Sequence, residues 1–262
     1  MKKTALIPIL LILMTFSNAA AGYIPLDTIR TKIKKSAGRE KVELLLDASE
    51  KLIYFSLRNS LDSAKEALYL SESLNYKKGA AESYHLMGTC RRQLGDNDKA
   101  ISFLAKSLQK FTEIDDFEWM IKCNIELGLL YHEMQKYDKA VSYYFTAFEL
   151  SKKIESYSGK GLSYFALGNI YRSIKDEWEA VSYLRNSVEN YFNAKDSAKA
   201  ANSLLILGAT YHTLMNEGKY NNQNTALKHF NHALEIFNKL NDSFGISNVL
   251  RFRVAYWIDA DN

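Results

Sequence analysis

Four glycines set the period of this sequence: Gly88, Gly128, Gly168 and Gly208 follow one another at intervals of 40 residues. An apolar residue stands directly before each of them, and an alanine stands twelve residues after each of the first three. Each alanine opens a small-x3-large pattern, which follows the fourth glycine six residues late. The pairs are Ala100 and Leu104, Ala140 and Tyr144, Ala180 and Leu184, and Ala226 and Phe230. Gly and Ala let helices approach closely while large residues fill the gaps, so these residue types suit helices that pack on one another in a repeated unit.

Proline is almost absent, which supports the same conclusion. The two prolines, Pro8 and Pro25, both precede the glycine repeats. A chain of 262 residues that is 47% hydrophobic can bury a substantial core or share one along a repeat array. With no proline to interrupt a helix after residue 25, the sequence predicts an all-α fold.

The repeated segments resemble the tetratricopeptide repeat, whose pattern is W-x2-L-G-x2-Y followed by A-x3-F. The resemblance implies a right-handed superhelical solenoid of antiparallel helix pairs, here with a period of 40 residues in place of 34. It covers residues 39–262 as five helix pairs plus one terminal helix, preceded by a leader at 22–38 with little periodicity. The polar, asparagine-rich insertion at 216–224 is expected to be a surface loop.

Residues 1–21 have the layout of a secretory signal peptide. Lys2 and Lys3 precede an apolar stretch of 12 residues, and Ala19 and Ala21 are placed for cleavage before Gly22. The stretch is shorter than the ~20 apolar residues that a membrane-spanning helix needs, although an uncleaved signal anchor is an alternative. The mature chain is therefore expected in the periplasm or at the cell surface.

The sequence offers no recognisable catalytic, cofactor or metal site. His132 and Glu133 begin like a zinc-protease signature, but the second histidine is missing; His229 and His232 share a helix face and are expected to be surface residues. Cys90 and Cys123 are too few for a disulfide framework, and buried thiols are the default interpretation. With 34 Lys plus Arg against 30 Asp plus Glu, the balance of charge argues against nucleic-acid binding. The chain is thus predicted to be a non-enzyme without a cofactor.

The family resemblance also implies where a partner binds. In tetratricopeptide repeats the first helix of each pair lines the concave face, and its second, fifth, ninth and twelfth residues point into the groove. The candidate partner-binding residues carried over to this sequence are His85, Arg92, Ile125, Leu129, His132, Phe165, Asn169, Arg172, Leu205 and His212. An apolar stripe beside arginines suits a protein or peptide with apolar anchors and an acidic group. Of this set, groove exposure is expected above all for Arg92, Asn169 and Arg172, while Leu205 fits either the groove or packing against the next repeat.

Two functions fit this pattern. The first is a non-enzymatic scaffold that binds protein or peptide outside the cytoplasm. The alternative is the sensory input region of a truncated signal-transduction protein, since the layout resembles the extracytoplasmic repeat region of bacterial histidine kinases. In either case the last helix is so apolar that its outer side is expected to contact another copy, a partner, or sequence that is missing from this chain. Its apolar residues are Val249, Leu250, Phe252, Val254, Tyr256, Trp257 and Ile258.

Overall fold

The computed structural model describes residues 26–222 and 224–260, and within these ranges the fold is all-α with no strand. The signal-peptide prediction for residues 1–21 lies outside the described residues. The helices are α1 (Leu26–Lys35), α2 (Gly38–Leu52), α3 (Leu57–Ser73), α4 (Lys77–Gln93), α5 (Asn97–Thr112), α6 (Phe117–Glu133), α7 (Tyr137–Lys153), α8 (Tyr157–Ser173), α9 (Glu177–Asn193), α10 (Ser197–Asn216), α11 (Asn224–Lys239) and α12 (Ser243–Ala260). None of them is both long and apolar enough to cross a membrane.

The helices belong to two compact units. In the N-terminal unit, described from residue 26 to 155, α2 packs on α3, α4 on α5 and α6 on α7, and α3 and α5 also contact the helix that follows them. In the C-terminal unit, described from 156 to 260, α8 packs on α9 and α10 on α11, while α9 and α11 again contact the next helix. The predicted fold class, helix pairs packed in sequence order, is therefore confirmed. We call α2, α4, α6, α8, α10 and α12 the first helices, and α3, α5, α7, α9 and α11 the second helices.

A short turn between helices explains the long period. Helices α6, α7, α8 and α9 have 17 residues each, and three residues separate α6 from α7 and α8 from α9. At the middle of such turns a residue adopts a left-handed backbone conformation, as Lys175 does with a φ of 63°. The amide of the next residue, Asp176, then donates to the carbonyl of Tyr171 at 2.9 Å, which closes the end of α8. The Asp176 carboxylate in turn accepts from the amide of Glu179 and caps α9. A helix and its turn thus take 20 residues, and two of them give the period of 40.

The repeated glycines lie where a first helix meets its second helix. A Cβ added at Gly168 would lie 2.7 Å from Cγ of Leu184, and one added at Gly208 would lie 2.7 Å from Cε1 of Phe230. Such distances are shorter than packed carbon atoms tolerate. The small-x3-large pattern therefore supplies the residue that fills the space left by each glycine. The six-residue insertion leaves this contact between Gly208 and Phe230 in place.

The leader and the insertion each have a feature that the sequence analysis did not predict. The expected leader contains helix α1, which contacts α2 and buries Ile29, whose exposed fraction is 1%. In the insertion, α10 extends to Asn216, and the chain then turns at Gly218 with a φ of 69°. The ring of Tyr220 lies 5.1 Å from the ring of Tyr211, so the insertion is a surface loop with one aromatic residue folded back onto α10.

Candidate partner-binding face

The ten candidate residues all lie on first helices, divided between the two units. In the N-terminal unit, His85 and Arg92 are on α4, and Ile125, Leu129 and His132 are on α6. In the C-terminal unit, Phe165, Asn169 and Arg172 are on α8, and Leu205 and His212 are on α10.

The expected apolar stripe is mostly interior. Ile125, Phe165 and Leu205 have exposed fractions of 3%, 6% and 0%. Phe165 and Leu205 belong to one core cluster of the C-terminal unit, together with residues of α9 and α10. The expectation that Ile125 and Phe165 lie open to a partner is wrong, and for Leu205 the packing alternative holds, because these fifth positions are covered by their neighbours. Leu129 is the apolar candidate that stays half-buried.

Arg92 is held by carboxylates of the following first helix. Its Nε donates to Oε2 of Glu126 at 3.2 Å, and its Nη1 donates to Oε1 of Glu133. Burial disfavours the charged guanidinium, but these two carboxylates outweigh burial and raise the pKa of Arg92. The expectation that Arg92 is exposed in a groove is wrong: it is 8% exposed and its charge is already paired within the unit.

His85 and His132 are neutral, partly covered rings. Burial lowers the pKa of His85, both of whose ring nitrogens are buried without a hydrogen-bond partner. Its ring meets the ring of Trp119 edge to face, with the centroids 5.3 Å apart. Burial also lowers the pKa of His132, whose ring lies 5.7 Å from that of Tyr137. Neither histidine therefore adds a positive charge to the N-terminal unit near neutral pH.

Asn169 and Arg172 keep unused polar groups on one face of α8. Asn169 is 6% exposed, against expectation; its Nδ2 donates to the carbonyl of Phe165 at 3.1 Å, and its Oδ1 is buried with no hydrogen-bond partner. Arg172 is half-buried, and among the described residues no carboxylate lies within 4.0 Å of its guanidinium. Burial lowers the pKa of Arg172 to about 10, although the charge of Glu177 opposes that shift.

His212 completes the set in the C-terminal unit. It is 8% exposed, and its Nε2 lies 3.2 Å from Oδ2 of Asp259 on α12. The amide nitrogen of Asn216 donates to the same carboxylate oxygen at 2.9 Å. Burial lowers the pKa of His212, against the effect of Asp259. His212 thus connects two first helices and does not project freely towards a partner.

The sequence interpretation missed the acidic residues that complete these contacts. Glu133 is 41 residues after Arg92, one period plus one residue. Asp259 holds the same place relative to His212 once the six inserted residues are allowed for. The sequence contained a signal for these pairs: an acidic residue follows a basic residue at the twelfth position of a first helix, one period plus one residue later.

The described residues hold no group of three or more His, Cys, Asp or Glu side chains that suits a metal ion. Cys90 and Cys123 are buried free thiols, so the default interpretation is confirmed. His229 is half-buried with its ring stacked 5.5 Å from that of Tyr211, while His232 is exposed.

Helix α12 presents an apolar outer side. Val249 and Tyr256 are buried at 0% and 3%, whereas Leu250, Val254 and Ile258 are exposed. These three residues recur every fourth position and form one ridge. In α10, the residue equivalent to Val254 is Gly208, which is covered by Phe230 of α11; for α12 the described residues provide no such covering helix.

Together the fold and these faces define an all-helical repeat protein. Residues 81–109 and 122–191 each match a family model described as tetratricopeptide repeat. The chain therefore contains tetratricopeptide repeats over these two segments. No curated protein matches it in sequence.

Solved structures share this fold at low sequence identity. A Rap protein complexed with competence and sporulation factor superposes with a TM-score of 0.72 at 15% identity, over 86% of this chain and 61% of that one. The apo form of the quorum sensor NprR from B. thuringiensis gives 0.66 at 15% identity, over 88% and 64%. NprR in complex with its cognate peptide NprX gives 0.65 at 16% identity, over 90% and 67%. This chain therefore spans about 61% of the length of the Rap protein that it resembles.

Proposed function

We propose that this chain is a non-enzymatic scaffold that binds protein or peptide through the faces of its first helices. The observation that carries the proposal is the repeat fold, which it shares with a Rap protein and an NprR protein that were each solved with a peptide or factor bound. Repeat arrays of this kind present long surfaces that suit extended or helical ligands. In the C-terminal unit, Asn169 has a buried Oδ1 without a hydrogen-bond partner, and Arg172 has no carboxylate partner among the described residues.

A direct binding measurement tests this function. The chain from Gly22 onward, immobilised, should retain a subset of a pool of synthetic octapeptides, and free peptide of the retained sequence should compete. Heat-unfolded protein on the same support is the control for non-specific adsorption. If the folded protein retains no more than the unfolded control, the scaffold function is wrong.

We also propose that the scaffold acts outside the cytoplasm, in the periplasm or at the cell surface. The support is the signal-peptide pattern of residues 1–21. Mass spectrometry of the protein from an extracytoplasmic fraction should give an N-terminus at Gly22. A cytoplasmic protein that retains Met1 would contradict this location, and a membrane-bound protein that retains it would indicate an uncleaved signal anchor.

The alternative function is the sensory input region of a signal-transduction protein such as a histidine kinase. The fold likeness to a quorum sensor favours it. The coding DNA after Asn262 distinguishes the two functions. A reading frame that continues into a hydrophobic stretch of ~20 residues favours the sensor, and a stop with no output domain nearby favours the scaffold.

For the outer side of α12 we propose contact with a second copy of the chain. A ridge of apolar residues at every fourth position can pack against the same ridge of another copy around a two-fold axis.

A further inference from the structure

The twelfth residue of a first helix has a defined role in two places. Arg92 of α4 bonds to Glu133, which is 41 residues further along in α6. His212 of α10 contacts Asp259 of α12 at 3.2 Å, which is the equivalent place after the six-residue insertion. In both cases a basic group on one first helix meets a carboxylate on the next one. A carboxylate therefore fits geometrically against this position.

Arg172 occupies the position equivalent to Arg92, two periods later. The residues equivalent to the two acidic partners of Arg92, however, carry no charge. The residues equivalent to Glu126 and Glu133 are Ile206 and Thr213 on α10. Ile206 is 3% exposed, and the Thr213 hydroxyl donates to the carbonyl of Ala209 at 3.1 Å. Arg172 thus lacks the two acidic partners that Arg92 has on the following first helix.

The other charge near Arg172 is already engaged. Glu177, at the start of α9, is 6% exposed, and its Oε2 lies 3.6 Å from Nζ of Lys219 in the inserted loop. Its charge favours the guanidinium of Arg172 but does not outweigh burial, which lowers the pKa of Arg172 to about 10. A half-buried guanidinium without a hydrogen-bonded carboxylate is unfavourable for the fold by itself.

Asn169 lies one turn before Arg172, so the two side chains share a face of α8. Its Nδ2 must donate to the Phe165 carbonyl, because a carbonyl can only accept; this leaves Oδ1 as the unpaired end. The face therefore offers a fork of N–H donors beside one buried acceptor. A peptide supplies the matching groups, which are a carboxylate and a backbone N–H.

We infer that Arg172 and Asn169 form a subsite for a carboxylate of a bound peptide, which takes the place that Glu133 occupies against Arg92. The inference rests on the proposed peptide-binding function. The guanidinium donates to the carboxylate oxygens, and Oδ1 of Asn169 accepts a backbone N–H of the same ligand. The carboxylate comes from an acidic side chain or from a C-terminus, two sources that share this chemistry.

The chain itself suggests the sharpest variant. Thr213→Glu places a carboxylate at the residue equivalent to Glu133, so Arg172 should be neutralised from within and the subsite closed. Arg172→Met removes the guanidinium and keeps a long apolar side chain. Arg58→Met, on the exposed side of α3, is the control because it removes one positive charge elsewhere.

Three octapeptide pools separate the sources of the carboxylate. One has a fixed central glutamate and an amidated C-terminus, one has glutamine and a free C-terminus, and one has glutamine and an amidated C-terminus. We expect the wild type and Arg58→Met to retain an acidic pool about tenfold or more over the neutral pool, and Arg172→Met and Thr213→Glu to lose that preference. Preference for the first pool assigns the carboxylate to a side chain, and preference for the second assigns it to a terminus. If the wild type retains all pools equally, or if Arg172→Met keeps the preference, the inference is wrong.

A second measurement does not depend on peptide binding. Glutarate, a small dicarboxylate, should raise the melting temperature of the wild type and of Arg58→Met as its concentration increases. It should not raise that of Arg172→Met or Thr213→Glu. Glutaramide, the uncharged diamide, is the control compound. Stabilisation by glutarate with no pool retained would support the subsite and contradict the peptide-binding function. No effect of glutarate and no acidic preference would contradict the subsite itself.

Discussion

At the scale of single residues, Arg92 and Arg172 show how one side chain in equivalent positions has opposite consequences. Arg92 is paired with Glu126 and Glu133, whereas Arg172 is partly buried without a carboxylate partner. Removing one partner of a buried ion pair leaves uncompensated charge, but removing an unpaired buried charge relieves a cost. The same substitution should therefore change stability in opposite directions at the two sites.

Arg172→Met should raise the free energy of unfolding by about 1 kcal/mol, because the desolvated charge disappears while the apolar stem is kept. Arg92→Met should lower it by about 3 kcal/mol, because Glu126 and Glu133 lose their partner. Urea unfolding of both variants beside the wild type measures the two shifts. Shifts of the same sign would mean that the environments of the two arginines are not different.

His229 should make stability depend on pH. Burial and the nearby positive charges of Arg185 and His232 lower its pKa to about 4. An unfolded chain protonates this ring near pH 6.5, so between about pH 6.5 and 4 the unfolded state binds more protons than the folded state. Stability should therefore fall as the pH falls through that window, by at most about 1.4 kcal/mol per pH unit from this residue.

The matched variant is His229→Phe, which keeps a ring against Tyr211 and removes the titration. Urea unfolding at a series of pH values should give a smaller pH slope for this variant than for the wild type. Equal slopes would show that His229 titrates alike in both states.

At the scale of helices, the close approach at the glycines decides how a pair packs. Gly168→Ala puts a Cβ at 2.7 Å from Cγ of Leu184. Overpacking should cost roughly 1–3 kcal/mol, more than the ~1 kcal/mol that alanine gains as a helix former. Thermal unfolding should show a lower melting temperature.

The double variant Gly168→Ala with Leu184→Ala tests the cause. If the clash is with Leu184, the cost of the alanine at 168 should disappear in the Leu184→Ala background, a coupling of about 1 kcal/mol or more. Additive effects would place the strain elsewhere.

The turns offer a change in the stabilising direction. Lys175 has a φ of 63°, a conformation that costs a non-glycine residue about 1 kcal/mol or more. Lys175→Gly should raise the free energy of unfolding by roughly 0.5 kcal/mol, since part of the gain is lost to the greater freedom of glycine in the unfolded chain. Lys175→Ala removes the same charge without that freedom and should not stabilise; equal effects of both variants in urea unfolding would exclude backbone strain as the cause.

The sequence was sufficient to predict how these helices pair. It was not sufficient to predict which candidate residues are exposed on the partner-binding face. The contact between Gly168 and Leu184 follows from spacing alone, because small and large residues must match wherever two helices touch. Exposure of Phe165 or Leu205 depends on how closely neighbouring first helices approach, which periodicity does not encode. The pairing of Arg92 with Glu133 required the register between helices, which becomes visible only when the residues are placed in space.

At the scale of the whole molecule, the outer side of α12 predicts self-association. Val254 and Ile258 are 58% and 59% exposed, and burying such side chains is favourable. Light scattering over a range of concentrations should show a dimer that Leu250→Asp with Val254→Asp abolishes, while Tyr69→Asp, on the exposed side of α3, leaves it intact. A monodisperse monomer at high concentration would contradict the proposed contact.

The inserted loop has a practical consequence. Its extra residues change the count along the chain, yet Phe230 still fills the space beside Gly208 and Asp259 still reaches His212. Register is therefore kept by contacts across helices and not by chain length. The exposed Asn221 and Asn222 accordingly mark a place where an epitope or fluorophore-bearing peptide can be spliced in to report on the intact protein.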